Sequence, residues 1–141
     1  MKIKCKIFGC GEPNKNGLVY PKTVVEDFVN RYNENVIQKE GFGLGELRHG
    51  GDDVNQYVQL ANVSHRFDKL YLDNNELIFE GDVLETPMGK IAKQIGIERL
   101  GPAIIGTGEV HNKVVTSFNL GHIDLVDKTE CAWEDASITE I

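Results

Sequence analysis

Apolar and polar positions alternate from the first residues. "KIKCKIFG" puts Ile3, Cys5 and Ile7 on one face and Lys2, Lys4 and Lys6 on the other, the two-residue period of a half-buried strand. The turn-rich "EPNKNGLVYP" follows. The period then changes: Val24, Val25, Phe28, Tyr32 and Val36 fall at helical spacing and predict a helix from Pro21 to about Lys39, with Pro21 suited to its first turn. Two strands are predicted in "YVQLANVSHRFDKLYLD" and "ELIFEGDVLE", joined by a hairpin turn at Asn74 and Asn75. "TPMGKIAKQIGIERLG" predicts a short helix with Thr86 as N-cap, Pro87 at its first position and Gly101 near its end. The last third, "AIIGTGEV" and "KVVTSFNLGHIDLV", returns to strands. Strands dominate and two helices interrupt them, so the expected class is α+β: a curved or closed, mostly antiparallel sheet, a barrel, with about two peripheral helices. No repeat, low-complexity tract or linker divides the chain, and one domain spanning residues 1–141 is expected.

Composition narrows the partners. A chain of 141 residues buries about two thirds of its unfolded surface and needs no disulfide or metal to stand. A formal charge of −7 argues against nucleic acid, whose phosphates demand a surplus of Lys and Arg. No apolar run approaches the roughly 20 residues of a membrane helix. "MKIKCKIFGCG" alternates lysine with apolar residues where a signal peptide needs an unbroken apolar stretch. Synthesis and use in a cytoplasm, with protein partners, are therefore expected. The cysteines, at positions 5, 10 and 131, fit reduced thiols, and Cys5 and Cys10 lack the second pair that would make a zinc site.

The candidate chemistry lies in "GELRHGGDDVNQYVQLANVSHRF", residues 45–67, which holds His49 and His65. His49 with Asp52, Asp53 and either His65 or His122 could supply nitrogen and oxygen ligands to a metal. Aspartates in "HGGDDVN" are equally the residues of a turn, and no ligand pair has a fixed helical spacing, so no metal or cofactor is expected.

Six short motifs then appear in order: Tyr20-Pro21, "GELRHG", "VSHRF", "TPMGK", "GPAIIGTG" and "FNLGHIDLV". In this order the chain resembles, from about Asn16 to Trp133, the prohead maturation proteases of tailed bacteriophages, serine peptidases related in fold to the herpesvirus assembly protease. The resemblance implies a herpesvirus-protease-like fold. It makes His49 the match of the general base and Asp124 the match of an acid that could orient His49 in an active relative. His65 matches a motif histidine of unassigned role, read here as strand packing.

The departures change what the resemblance implies. Matching the "G.G" that closes the family's nucleophile segment onto Gly106 and Gly108 puts the two family serines on Ala103 and Ile104 and the following arginine on Ile105. Gly50 stands where the family has proline after the histidine. Neither Ala nor Ile can attack a carbonyl. Ser117 and Thr107 are the hydroxyls that could substitute. A shift of three strand residues displaces a side chain by roughly 10 Å, against the hydrogen-bond reach of about 3 Å that a base requires.

Three readings follow: a catalytically inactive homologue serving as a structural or accessory virion protein, an active prohead protease with a displaced nucleophile that cleaves capsid and scaffold proteins, and a small-molecule or metal-dependent hydrolase sharing the fold. The first is the expectation. It places the protein in the virion after synthesis in the host bacterial cytoplasm, in an oligomeric assembly that binds capsid or other virion proteins, with Ile104 and Ile105 as the candidate contact residues and His49 and Asp124 as vestiges.

Overall fold

The computed structural model describes residues 1–49 and 55–141. Strand β1 (Lys2–Gly9) carries the alternation seen in the sequence, with Ile3, Cys5 and Ile7 wholly buried. The helical period after it forms α1 (Lys22–Tyr32), which continues through a π-helical turn, Asn33–Ile37, into the short α2 (Gln38–Glu40) and stops at Gly41, φ 89°. Pro21 sits just outside as the cap residue, not inside the first turn. Val25, Phe28, Val29 and Tyr32 form the buried face of α1.

Strand β2 (Gly43–Glu46) precedes β3 (Val63–Asp73), which turns back into β4 (Glu76–Val83). Asn74 and Asn75, with φ of 49° and 67°, provide the left-handed pair of a tight hairpin. Residues 57–62 do not join β3 as expected. Glu46 takes their polar groups instead: its Oε2 accepts from the Gln59 N–H at 3.0 Å and its Oε1 from the Asn62 side-chain amide at 3.2 Å, and Leu60–Asn62 forms a 3₁₀ turn.

Helix α3 (Pro87–Ile95) opens as predicted, with Thr86 Oγ1 accepting from the Gly89 N–H at 3.0 Å. It ends at Gly96, φ 100°, and not near Gly101. Gly101 already belongs to β5 (Leu100–His111), which pairs along its length with β6 (Val114–Asp127). Strand β7 (Ser137–Glu140) completes the chain.

These strands form two separate antiparallel sheets, one of order β2-β3-β4-β1-β7 and the hairpin β5-β6. The expected closed or curled sheet is therefore corrected: neither sheet forms a barrel. The reason lies at the corner between β2 and β6. There the Glu46 N–H is taken by the Asp124 side chain at 3.0 Å, and the ladder is reduced to a bridge between Leu47 and Leu125, with Arg48 N donating to the Leu125 carbonyl at 3.1 Å. At the opposite edge β7 pairs only with β1, over four residues. One core fills the space between sheets and α1, with Phe8 stacked on Trp133 at 4.3 Å and Phe118 edge-on to Phe28 at 5.2 Å.

Candidate functional site

The site lies where Leu47–His49 leaves β2 and crosses to β6. Strand alternation puts His122 and Asp124 on one face of β6, and both are buried, 1% and 0% exposed. Among the described residues Asp124 is engaged by three groups: Arg48 Nε donates to its Oδ2 at 2.7 Å, and the Glu46 N–H and His122 Nδ1 reach its Oδ1 at 3.0 and 2.5 Å. His49 is not one of these three. The His49 side chain is 75% exposed and sits 3.7 Å from Glu130 Oε1, an ion pair when the ring is protonated. The histidine and acid matched by sequence thus lie close in the chain fold but serve different partners.

His49 opens onto a cleft of about 470 Å³ lined by Leu47, Met88, Ile95 and Leu100 on its apolar side and by Arg48, Asn62, Asp127 and Glu130 on its polar side. None of its described lining residues carries a hydroxyl or thiol. Residues 50–54, where Gly50, Asp52 and Asp53 fall, lie outside the described residues, and by sequence they too contain no hydroxyl or thiol. Among the described residues no group of three or more His, Cys, Asp or Glu could hold a metal.

On β5, Ala103 stands opposite Asp124, Ile104 opposite Ile123 and Ile105 opposite His122. Ala103 packs on the small cluster of Val126, Cys131 and Ala136, Ile104 packs on the main core, and Ile105 is half-buried. The substitute hydroxyls are far along the hairpin. Ser117 pairs with Glu109, Thr107 pairs with Asn119, and both are exposed. Eight strand residues separate Ser117 from Leu125, which bridges the residue two before His49, a span of roughly 25 Å. Ser117 instead lines a depression against α1 with Thr23, Val24 and Asp27. Burial pushes the Cys5 thiol well up and the Cys131 thiol to about 11, so neither supplies a thiolate near neutrality.

His65 has a different environment. It is wholly buried on β3, its Nε2 2.8 Å from the Ile123 carbonyl and its Nδ1 2.8 Å from Ser64 Oγ. The carbonyl can only accept, so Nε2 carries the proton and Nδ1 accepts from the serine. Burial pulls the ring down to about 4, with the bond to Ile123 opposing it in part. Ser64 and His65 form a hydroxyl–imidazole pair, yet both are closed to solvent, and the role is to tie β3 to β6.

Sequence motifs brought out His49, His65 and Asp124 but missed the groups that decide their surroundings. Arg48 lies inside "GELRHG" beside His49, and its partner is set only by β6 lying next to it. Glu46, 6% exposed, was a motif letter with no assigned task. Glu130 and Asp127 border the cleft from the far end of the chain and carried no local signal.

No protein-family model matches the chain, and no curated protein matches it. Among solved structures, the chain is similar to the capsid assembly protease gp21 of bacteriophage T4, with a TM-score of 0.70 and 22% identity over 89% of this chain and 80% of that one. At that identity the likeness speaks for the fold, and the chain is a distant structural relative that shares the fold of a phage capsid assembly protease.

Proposed function

We propose that this protein is a catalytically inactive relative of the phage head proteases, a structural or accessory part of a tailed-phage particle that binds capsid or other virion proteins. The observation that carries this reading is the composition of the cleft: it exposes His49 to solvent, but among the described residues no hydroxyl or thiol lines it. An acyl-transfer site needs a nucleophile within hydrogen-bond reach of its base and an acid that orients that base. Here the family nucleophile positions are Ala103 and Ile104, and Asp124 serves Arg48 and His122.

The same cleft suits protein binding. Its apolar wall is formed by Leu47, Met88, Ile95 and Leu100, and Ile91 and Ile95 of α3 remain exposed beside it. Apolar residues gathered around a polar rim are the usual make-up of a contact surface. Ile105, half-buried, is the second contact candidate. The protein is made in the host bacterial cytoplasm and taken into the assembling head, as the capsid-assembly role of its structural relative suggests.

The experiment pairs chemistry with location. The purified protein is treated with a fluorophosphonate probe and with the major capsid protein of its own phage, and mature particles are analysed for the intact chain. No labelling, no cleavage and full-length protein in the particle are expected. Labelling abolished by Ser117→Ala or Thr107→Ala would overturn the reading in favour of an active serine protease that cleaves capsid and scaffold proteins.

A further inference from the structure

The imidazole of His122 lies between two acceptors. Its Nδ1 is 2.5 Å from Asp124 Oδ1 and its Nε2 is 2.8 Å from the carbonyl oxygen of Asn55. A backbone carbonyl and a carboxylate accept hydrogen bonds but do not donate them, and neutral imidazole has one N–H to give. A protonated Asp124 could donate to Nδ1 instead, but that would remove the buried anion paired with Arg48 at 2.7 Å, so the second proton belongs on the ring. With Asp124 ionised, both contacts are satisfied together only by the imidazolium.

The charges around the ring agree. From the segment after β2 comes Arg48, from β2 Glu46, from β6 Asp124, and from β3 His65, which burial keeps neutral near pH 7. With His122 charged, the described residues of this buried group hold two cations and two anions. Without that proton they hold one cation and two anions, and a carbonyl faces a bare ring nitrogen.

What the Nε2 proton holds is a strap, Asn55–Asn62, that crosses β6. Gln56 lies against Gly121, so closely that a Cβ there would come 2.7 Å from the Gln56 carbonyl. At its far end the strap is tied to Glu46 through Gln59 and Asn62. Apolar burial contributes little to its seat: its two largest apolar side chains, Tyr57 and Leu60, are 80% and 78% exposed. Polar anchors therefore decide whether it stays. We propose that His122 is a doubly protonated latch that pins the Asn55–Asn62 strap to β6, and that the strap swings free when the ring loses its proton.

The sign follows from linkage. Burial alone would lower the pKa of His122, but the bonds to Asp124 and to the Asn55 carbonyl outweigh it and leave the value raised above the ordinary 6.5. The latch is closed below the ordinary histidine range and opens as pH rises through the folded-state value.

The test uses the unmodified protein. Ring ¹⁵N shifts assigned to His122 report its protons, and amide hydrogen exchange, corrected for its intrinsic pH dependence, is followed from pH 6 to 9 in the peptide covering residues 55–62 and in β4. Two protonated ring nitrogens at pH 6 are expected, with strap protection falling about tenfold or more as the ring titrates while β4 stays protected. In His122→Gln the strap should already exchange fast at pH 6, and if that variant does not fold the titration of the unmodified protein decides alone. A singly protonated ring at pH 6, strap protection that stays level through the titration, or strap and β4 opening together would overturn the proposal.

Discussion

Arg48 Nε donates to Asp124 Oδ2 at 2.7 Å, with the Arg48 side chain 11% exposed and Asp124 fully buried. The residue next to His49 in the chain thus occupies the acid that the motif resemblance sets against that histidine. A buried carboxylate is tolerated where donors surround it, and Arg48, His122 and the Glu46 amide provide that shell.

Removing one member of such a shell leaves the carboxylate partly unpaired. Arg48→Ala should destabilise the fold by about 2–4 kcal/mol, below the full cost of an isolated buried charge because His122 and Glu46 remain. Urea unfolding at pH 7 measures this, and a loss under about 1 kcal/mol would mean that Asp124 is not held as described.

The buried ring of His65 makes stability depend on acid. Its folded pKa, about 4, lies below the ordinary 6.5, so the unfolded chain takes up the proton first. Stability is present in full above about 6.5 and is lost as pH falls toward 4, by about 3 kcal/mol over that span. The His65 ring carbon shifts should stay those of neutral imidazole down to about pH 4 in the folded protein, and titration of this ring near 6.5 would contradict the assignment.

Gly45 permits the contact between β2, β3 and β6. A Cβ there would lie 2.0 Å from the Ile123 carbonyl oxygen and 2.2 Å from His65 Nε2. Gly45→Ala must push β6 away and break the bond between His65 and Ile123, at a cost of about 3 kcal/mol or more. A melting temperature within a degree of the parent would show that the two strands do not approach so closely.

Thr86 does two jobs at the start of α3. Its Oγ1 accepts from the Gly89 N–H and donates to the Val63 carbonyl at 2.5 Å. Thr86→Ala should cost about 1–2 kcal/mol, and Thr86→Ser should restore most of it because the hydroxyl is what caps the helix. Equal losses in the two variants would assign the effect to the methyl group.

Ile105 offers a test of the contact surface. As a half-buried residue opposite His122, it can be replaced in Ile105→Arg with a modest loss for the free domain, within about 1–2 kcal/mol. If the face is covered by a partner in the particle, the buried unpaired charge should strongly reduce incorporation. Normal incorporation of a folded variant would move the interface elsewhere.

The local elements were legible because their causes are local. The alternation in β1, the helical spacing of Val25, Phe28 and Tyr32, the Asn74-Asn75 turn and the Thr86 cap each depend on neighbours within a few residues. The end of α3 was misplaced because Gly96 and Gly101 look alike in sequence. Only the left-handed φ of the first and the pairing of the second with Val126 tell them apart.

By itself the sequence determined the α+β class, the long strands and the helices though not the short β2 and β7, and the absence of a hydroxyl at Ala103 and Ile104, since these follow from side-chain type and period. Tertiary structure decided how the sheets meet. An open corner replaces a closed barrel because the Asp124 carboxylate takes the Glu46 N–H that a continued ladder would need. It also decided which charges are neighbours: Asp124 faces Arg48 and His122, and His49 faces Glu130, 81 residues away in the chain. Pairings at such separations depend on strand register, and no local pattern of apolar and polar residues encodes which carboxylate a given cation will reach.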